Sequence, residues 1–428
     1  MRTVLSKKLF NNFDTSWKWV PSLYFIEGLP YIFVMSVSVI FLKRMNLGNG
    51  EIALYTSWLY LPWIIKPFWS PVVDLLGHKR KWILFMQFLI GVLFAGIALS
   101  LPFQNWLNYT LLFFWLIAFS SATHDIAADG FYMLAQSPHS QAKFIGIRST
   151  FYRIAMITGQ GVFVILAGEL EQHYGNVKQA WEITFALTSA IFILFAIYHK
   201  FFLPKKETSQ SSNQKENFLK SFAEVFIDFF RKEQIGIIIL FLLLYRLSEA
   251  QLVKLAAPFF LDKPSAGGLG LTTAQIGLVY GTIGVIFLVL GGILGGFAIA
   301  RNGLKFWLLP MVISINIPNV VYWLFALFHT TSLAIVSVGV AFEQFGYGFG
   351  FAAYLFYAMM ISEGKYKTAH YAIATGFMAL GMMLPGMFSG FLQESLGYSN
   401  FFLWVVFSSL PMFILIKYVK INPDYGKK

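Results

Sequence analysis

The stretch SATHDIAADGF, residues 121–131, sets a histidine and two aspartates inside an apolar run that begins LLFFWLIAF at Leu111 and continues YMLA to Ala135. A helix needs ~20 predominantly apolar residues to cross a bilayer. The run therefore reads as a membrane span, and its two carboxylates need a reason to be there. The rest of the chain agrees: of 428 residues, 57% are hydrophobic and 12% charged, and the mean hydropathy of +0.65 lies outside the range of water-soluble domains. The same window finds about twelve spans, parted by polar breaks such as NLGNG (46–50), GHKRK (77–81) and ARNGLK (300–305). Runs such as GIIILFLLL (236–244) do not alternate as barrel strands do, so the expected fold class is an all-α membrane protein. The first apolar stretch, 20–42, is longer than the core of a cleavable signal and is expected to remain as the first span.

Charge and composition exclude several functions. The net charge of +12 is spread over loops. With the amino terminus cytoplasmic, inner loops receive Lys79, Arg80, Lys81, Lys143, Lys200, Lys205 and Lys206, whereas outer loops receive Lys43, Arg44, Lys178 and Lys263 beside acidic neighbours. This is a positive-inside signal that puts both termini in the cytoplasm, and it is not the footprint of a nucleic-acid partner. The chain has no cysteine, which removes disulfides, thiolate metal sites and cysteine nucleophiles. Its seven histidines are scattered, so no metal cluster or catalytic nucleophile is expected and the chain is not read as an enzyme.

The most polar stretch, LPKKETSQSSNQKENFLK (203–220), has the composition of a flexible linker and divides the chain into residues 1–203, a linker 204–220 and residues 221–428. After it, Phe218, Phe222, Val225, Phe226 and Phe229 recur at helical spacing, either as an amphipathic helix on the membrane face or as the wet start of the seventh span. The two halves repeat: GEIALY around Ile52 matches AQIGLVY around Ile276, and KWILFM from Lys81 matches KFWLLPM from Lys305, both 224 residues apart (276 − 52, 305 − 81). Two six-helix bundles joined by a linker resemble the major facilitator superfamily, whose halves rock about a central site. SPVVDLLGHKRK (70–81) is similar to the superfamily's loop between spans 2 and 3, with Ser70 where a glycine is usual. That resemblance implies a gating role for Asp74, Gly77, Lys79 and Arg80.

Ionisable groups within spans are costly and mark functional sites by default. They are Glu27, Lys66, Asp125, Asp129, Arg148, Arg153, Arg246, Glu249, Lys254 and Glu343. Asp125 and Asp129 are one turn apart on one helix face. Spans 4 and 5 run antiparallel about a turn near residue 139, so Asp129 lies level with Arg148 and Asp125 level with Arg153, giving two depth-matched ion pairs that either hold the helices together or open during a cycle. Arg246 and Glu249, three residues apart, share one helix face, either as a pair that satisfies itself or as charges that act in the site. Trp58, Trp63 and Trp69 recur on span 2 as packing or as a sugar-stacking face. Protonation of Asp125, or of Glu249, would remove a cavity charge and shift the balance between two conformations.

EGLP, KPFWSPVVD, HDIAADGF, YRIAM and LYRLSEA in spans 1, 2, 4, 5 and 7 resemble the corresponding stretches of AmpG-type muropeptide permeases and the related acetyl-coenzyme A transporters. The resemblance implies proton-driven import of N-acetylglucosaminyl-1,6-anhydro-N-acetylmuramyl peptides across the bacterial inner membrane for cell-wall recycling, by a monomer without a cofactor. It also implies that spans 1, 4, 7 and 10 line the cavity, so that Glu27, Asp125, Arg246, Glu249 and Glu343 face the solute. Asp125 and Asp129 match the family carboxylates, Lys66 the span 2 lysine, Arg153 the span 5 arginine and Glu249 the span 7 acid. The departures are Ile26 and Glu27, where the permeases carry a basic residue and Gln, and DIAADG, which is as close to the acetyl-coenzyme A branch. The alternative reading is therefore a carrier of another anionic solute, such as a thioester, sugar or peptide.

Overall fold

The computed structural model describes residues 15–75, 78–136, 138–205, 218–364, 366–422 and 425–426, and every regular element among them is a helix. In chain order these are α1 (Thr15–Arg44), α2 (Asn49–Trp58), α3 (Leu61–Leu75), α4 (Lys79–Ser100), α5 (Trp106–Ala135), α6 (138–174) and α7 (Val177–Phe202). After the linker come α8 (Phe218–Phe230), α9 (Ile235–Leu261), α10 (Thr273–Asn302), α11 (Leu304–Phe328), α12 (Leu333–Ile361), α13 (Lys367–Phe407) and α14 (Leu410–Leu415). Among the described residues, 10 segments are long and apolar enough to cross a membrane. Two breaks separate this number from the sequence expectation. The chain interrupts its helix at Leu59 and Tyr60, leaving α2 and α3 short. The last segment runs 50 residues, 369–418, and is broken at Gly397, whose φ of 72° no helix contains. At 1.5 Å per residue, 50 helical residues would reach ~75 Å, more than twice a ~30 Å hydrocarbon core.

The outer surface is built for lipid. Phe88, Leu99, Phe201, Phe297, Val338 and Ile414 are each more than half exposed, an arrangement that would aggregate in water and is neutral against acyl chains. The internal repeat is visible in the backbone as well as in the sequence. α2 begins at Asn49 and α10 at Thr273, again 224 residues apart (273 − 49). Each start is closed by the residue at the third helical position: Glu51 accepts the Gly48 N–H at 3.4 Å and Gln275 accepts the Thr272 N–H at 2.9 Å.

The parts before and after the linker meet along a seam that is tight at one end. At this sealed face, where the 45–48, 175–176 and 262–272 loops lie, Lys43 bonds Asp262 at 2.7 Å, Asn49 bonds Gln393 at 2.6 Å and Tyr398 at 2.8 Å, and Thr273 donates to Glu171 at 2.7 Å. Further in, the wide π-type turns 157–162 of α6 and 277–284 of α10 pack backbone against backbone. Glycine permits this: a Cβ at Gly281 would sit 2.0 Å from the Gln160 carbonyl oxygen. The opposite, open face is where α3 ends at Leu75, α4 begins at Lys79, α12 ends at Ile361 and α13 begins at Lys367.

α8 is a separate element, because it ends at Phe230 and the chain turns through Gln234 at φ 58° before α9. Phe229 is buried against Phe377 and His370 of α13, while Phe226 stacks on Phe68 of α3 with centroids 5.5 Å apart. It thus bridges the two parts at the open face, roofing an apolar cavity of about 340 Å³ between α3 and α13.

Gly281→Ala is expected to strain the sealed seam and lower thermal stability by an amount in the overpacking range, ~1–3 kcal/mol. Gly296→Ala, on the same helix but with nothing within 4 Å of the added methyl, is the control and should leave the melting temperature of the purified protein unchanged. Equal melting of the two variants would show that the seam is not close-packed at Gly281.

Candidate functional site

A charged cluster sits in the part before the linker, assembled from four helices. Lys66 of α3 contacts Asp125 of α5 directly. One turn along, Asp129 accepts a hydrogen bond from Arg148 of α6 at 2.6 Å and another from the Tyr24 hydroxyl of α1 at 3.2 Å. The Arg148 guanidinium lies over the Tyr24 ring at 4.4 Å and near the Tyr132 ring at 5.4 Å, which holds its plane toward Asp129. Glu27 of α1 lies within electrostatic reach of Asp129, Arg148 and Lys66; it is buried, and its Oε2 has no partner among the described residues. The side chains of Lys66, Asp125, Asp129 and Arg148 retain 26–40% of their exposure although they lie within spans, so the packing around them leaves a gap. Three carboxyl groups here meet two cations, and one proton makes the cluster neutral.

The Asp129–Arg148 pair is the one the depth argument expects. Asp125 with Arg153 is not formed, because depth fixes level but not direction. Asp125 and Asp129 differ by ~40° around α5, whereas Arg148 and Arg153 differ by ~140° around α6, at ~100° per residue. Arg153 points instead toward α10, its Nη2 3.9 Å from where a Cβ at Gly292 would be, and among the described residues no carboxylate is within ion-pair distance.

The self-satisfied Arg246–Glu249 pair is also absent among the described residues. α9 breaks at Tyr245 and Arg246, and Arg246 has φ −113° and ψ 21°, so the two residues no longer share a helical face. Arg246 donates to the Tyr347 hydroxyl and lies over the rings of Tyr347 at 5.1 Å and Phe351 at 5.0 Å. Glu249 is buried with its Oε2 unpartnered. Glu343 of α12 accepts from Gln344 at 2.9 Å and Tyr322 at 3.4 Å, leaving its Oε1 unpartnered.

The three tryptophans do not form one platform: Trp58 is exposed, Trp63 packs edge-on against Tyr31, and Trp69 tilts against Phe119. Of the expected gate residues, Gly77 and the side chain of Asp74 lie outside the described residues. Lys79 is buried with its stem against Gly130 of α5, and Arg80 donates to the Lys200 carbonyl at 2.6 Å and the Leu203 carbonyl at 3.3 Å.

Two features escaped the sequence reading. The Gln87 amide bridges His124 and His199 at 2.9 Å each, and His199 meets Ser22 at 2.9 Å, a buried chain that ties α5 to α4, α7 and α1. His124 therefore faces away from the cavity despite being next to Asp125. Lys254 reaches across the seam to Thr56; no periodicity in the sequence marks that contact.

A sequence profile described as Major Facilitator Superfamily matches residues 22–365. A putative transporter AmpG 4 of Rickettsia conorii is 24% identical over 413 residues, spanning 93% of this chain and 95% of that one. The anhydromuropeptide permease of Escherichia coli strain K12 is 24% identical over 417 residues, spanning 94% and 81%. Among solved structures, a bacterial homolog of the human lysosomal transporter Spinster, inward-facing and unoccupied, superposes with a TM-score of 0.70 at 16% identity over 94% of this chain and 95% of that one. The inward-open xylose transporter XylE from E. coli gives 0.66 at 13% identity over 93% and 95%. The profile covers most of the chain, the solved transporters share its all-helical fold, and the chain belongs to the major facilitator superfamily.

Proposed function

We propose that the protein is a proton-coupled importer of anhydromuropeptides across the bacterial inner membrane, serving peptidoglycan recycling. Its chain crosses the membrane twelve times: α2 with α3 makes one crossing and the break at Gly397 divides two. Residues 1–203 and 221–428 form the two rocking bundles, and both termini and the open face are cytoplasmic. It works as a monomer, with the proton gradient in place of any cofactor. The observation that supports the coupling is the cluster of Glu27, Asp125 and Asp129 with Lys66 and Arg148, which is one proton short of neutrality and in which both ion pairs keep part of their exposure. The substrate reading is supported by the nearly full-length resemblance to the E. coli permease.

The mechanism follows from electrostatics. Asp129 and Arg148 are mutually satisfied and hold α5 to α6 throughout the cycle. Asp125 and Lys66 join α5 to α3 in a pair that water reaches, and a solute carrying both charges can exchange partners with it. Glu27, which has no hydrogen-bonded cation, carries the coupled proton in this conformation. Uptake of that proton from the outer side neutralises the cluster so that it can be enclosed together with the solute, and loss of both to the cytoplasmic side lets the carrier return outward without them, so that protons move inward with the solute. On the far side of the cavity Arg246, with Glu249 and Glu343 behind it, supplies the second charged wall.

Proteoliposomes carrying the intact chain are expected to accumulate labelled anhydromuropeptide when an inward proton gradient is imposed. Asp125→Asn should lower that uptake at least about tenfold, the equivalent of ~1.4 kcal/mol of lost interaction. Glu27→Gln should behave differently: exchange of labelled for unlabelled solute persists, while accumulation driven by the gradient, and its dependence on pH, disappears. No uptake by the intact chain under any gradient overturns the substrate reading, and gradient-driven accumulation by Glu27→Gln overturns the coupling role of Glu27.

A further inference from the structure

Lys254 of α9 is 1% exposed and has no carboxylate within ion-pair distance among the described residues. Its Nζ donates to Thr56 Oγ1 at 3.0 Å and lies 5.1 Å from the centre of the Tyr60 ring. The Thr56 hydroxyl already donates to the Ile52 carbonyl at 2.7 Å, so it can only accept from the lysine. An ammonium has three donors, and one hydrogen bond uses one of them. Glu249, five residues earlier, is ~140° away around the helix at ~100° per residue. Beside the lysine, the Ser57 hydroxyl is also buried and has no hydrogen-bond partner among the described residues. A Cβ placed on Gly386 of α13 would lie 2.7 Å from Ser57 Oγ and 3.5 Å from Lys254 Cε, so the two groups border one point. An uncompensated cation and an unused hydroxyl thus sit together on opposite sides of the seam, where α2 breaks. The face of Tyr60 stands where a counter-ion would be.

We propose that Lys254, with Ser57, is an anion-binding subsite, covered in this conformation by Thr56 and Tyr60 at the closed seam and uncovered to a carboxylate or phosphate group of the solute when the sealed face opens. The inference rests on the reading of the chain as an alternating-access carrier, not on which solute it carries. In the open seam the anion takes the donors that are idle here. When the seam closes, Tyr60 and Thr56 replace the anion, so the same lysine first binds the solute's charge and then releases it.

The absence of cysteine from the chain makes a direct test possible. In right-side-out vesicles holding the full chain, Ser57→Cys is treated with membrane-impermeant thiosulfonate reagents of opposite charge, one sulfonate-bearing and one trimethylammonium-bearing. The anionic reagent should react faster, by about tenfold or more, as expected for a cation that concentrates anions in a confined cleft. Adding Lys254→Met should abolish the preference and Lys254→Arg should keep it. Tyr60→Cys provides the same measurement should Ser57→Cys fail to fold. Equal rates for the two reagents, or a preference that survives Lys254→Met, overturns the proposal, as does a cysteine that reacts with neither. Loss of muropeptide uptake by the intact chain with the charge preference retained would overturn the substrate and leave the subsite standing.

Discussion

A charge within a membrane is costly unless another charge or water meets it, and the part of this protein before the linker is arranged around that constraint. Arg148 answers it for Asp129, with Tyr24 and Tyr132 fixing the guanidinium. Lys66 answers it for Asp125. Both pairs join separate helices, so each neutralisation is also a tertiary contact, and α1, α3, α5 and α6 are positioned by the electrostatics that they enclose. A pair this accessible to water contributes little net stability. Its value lies in direction: it dictates which faces of four otherwise apolar helices turn inward, a choice that lipid and apolar side chains hardly distinguish.

The seam between the two parts uses a different interaction, and the difference decides which end moves. At the sealed face the contacts are backbone on backbone at Gly281, reinforced by Lys43–Asp262 and by Glu171, which also accepts from Arg44 and Trp181. Such contacts are short-ranged and lost together once the helices separate by an ångström or two. The open face is bridged by α8, whose acidic groups are held by α13 through Tyr366 to Glu224 and His370 to Asp228, while its contact with α3 is the stacking of Phe226 on Phe68. A stacked ring pair slides at small energetic loss. α8 can therefore stay on one part while the other shifts beneath it.

How much of this the sequence contains depends on whether a feature is local or azimuthal. The helical spans, the repeated starts and the Asp129–Arg148 pair were legible, because each follows from composition, from an offset or from distance along an antiparallel hairpin. Periodicity left 218–230 open between an amphipathic helix and the start of the seventh span, and the positive φ at Gln234 separates it from α9. Asp125 was paired with the wrong cation because equal depth does not specify the direction of a side chain around its helix. The break at Tyr245 that keeps Arg246 and Glu249 from pairing carries no glycine or proline to announce it. Lys66–Asp125 and Lys254–Thr56 join helices far apart in sequence, and nothing short of the packed bundle reports them.

The two parts, though repeated in backbone, divide the chemistry unequally. Before the linker, Asp125 and Asp129 contact cations and keep a quarter or more of their exposure, with the buried Glu27 beside them. After it, Glu249 and Glu343 are buried among tyrosines, and Arg246 is matched by aromatic faces rather than by an acid. Groups in such surroundings change charge only when the surroundings themselves open. On the proposed reading of the chain as a proton-coupled carrier, one half registers the proton and the other the conformation, and coupling requires that pair of roles, because a site that titrated in every conformation would leak protons and a site that titrated in none would transmit nothing.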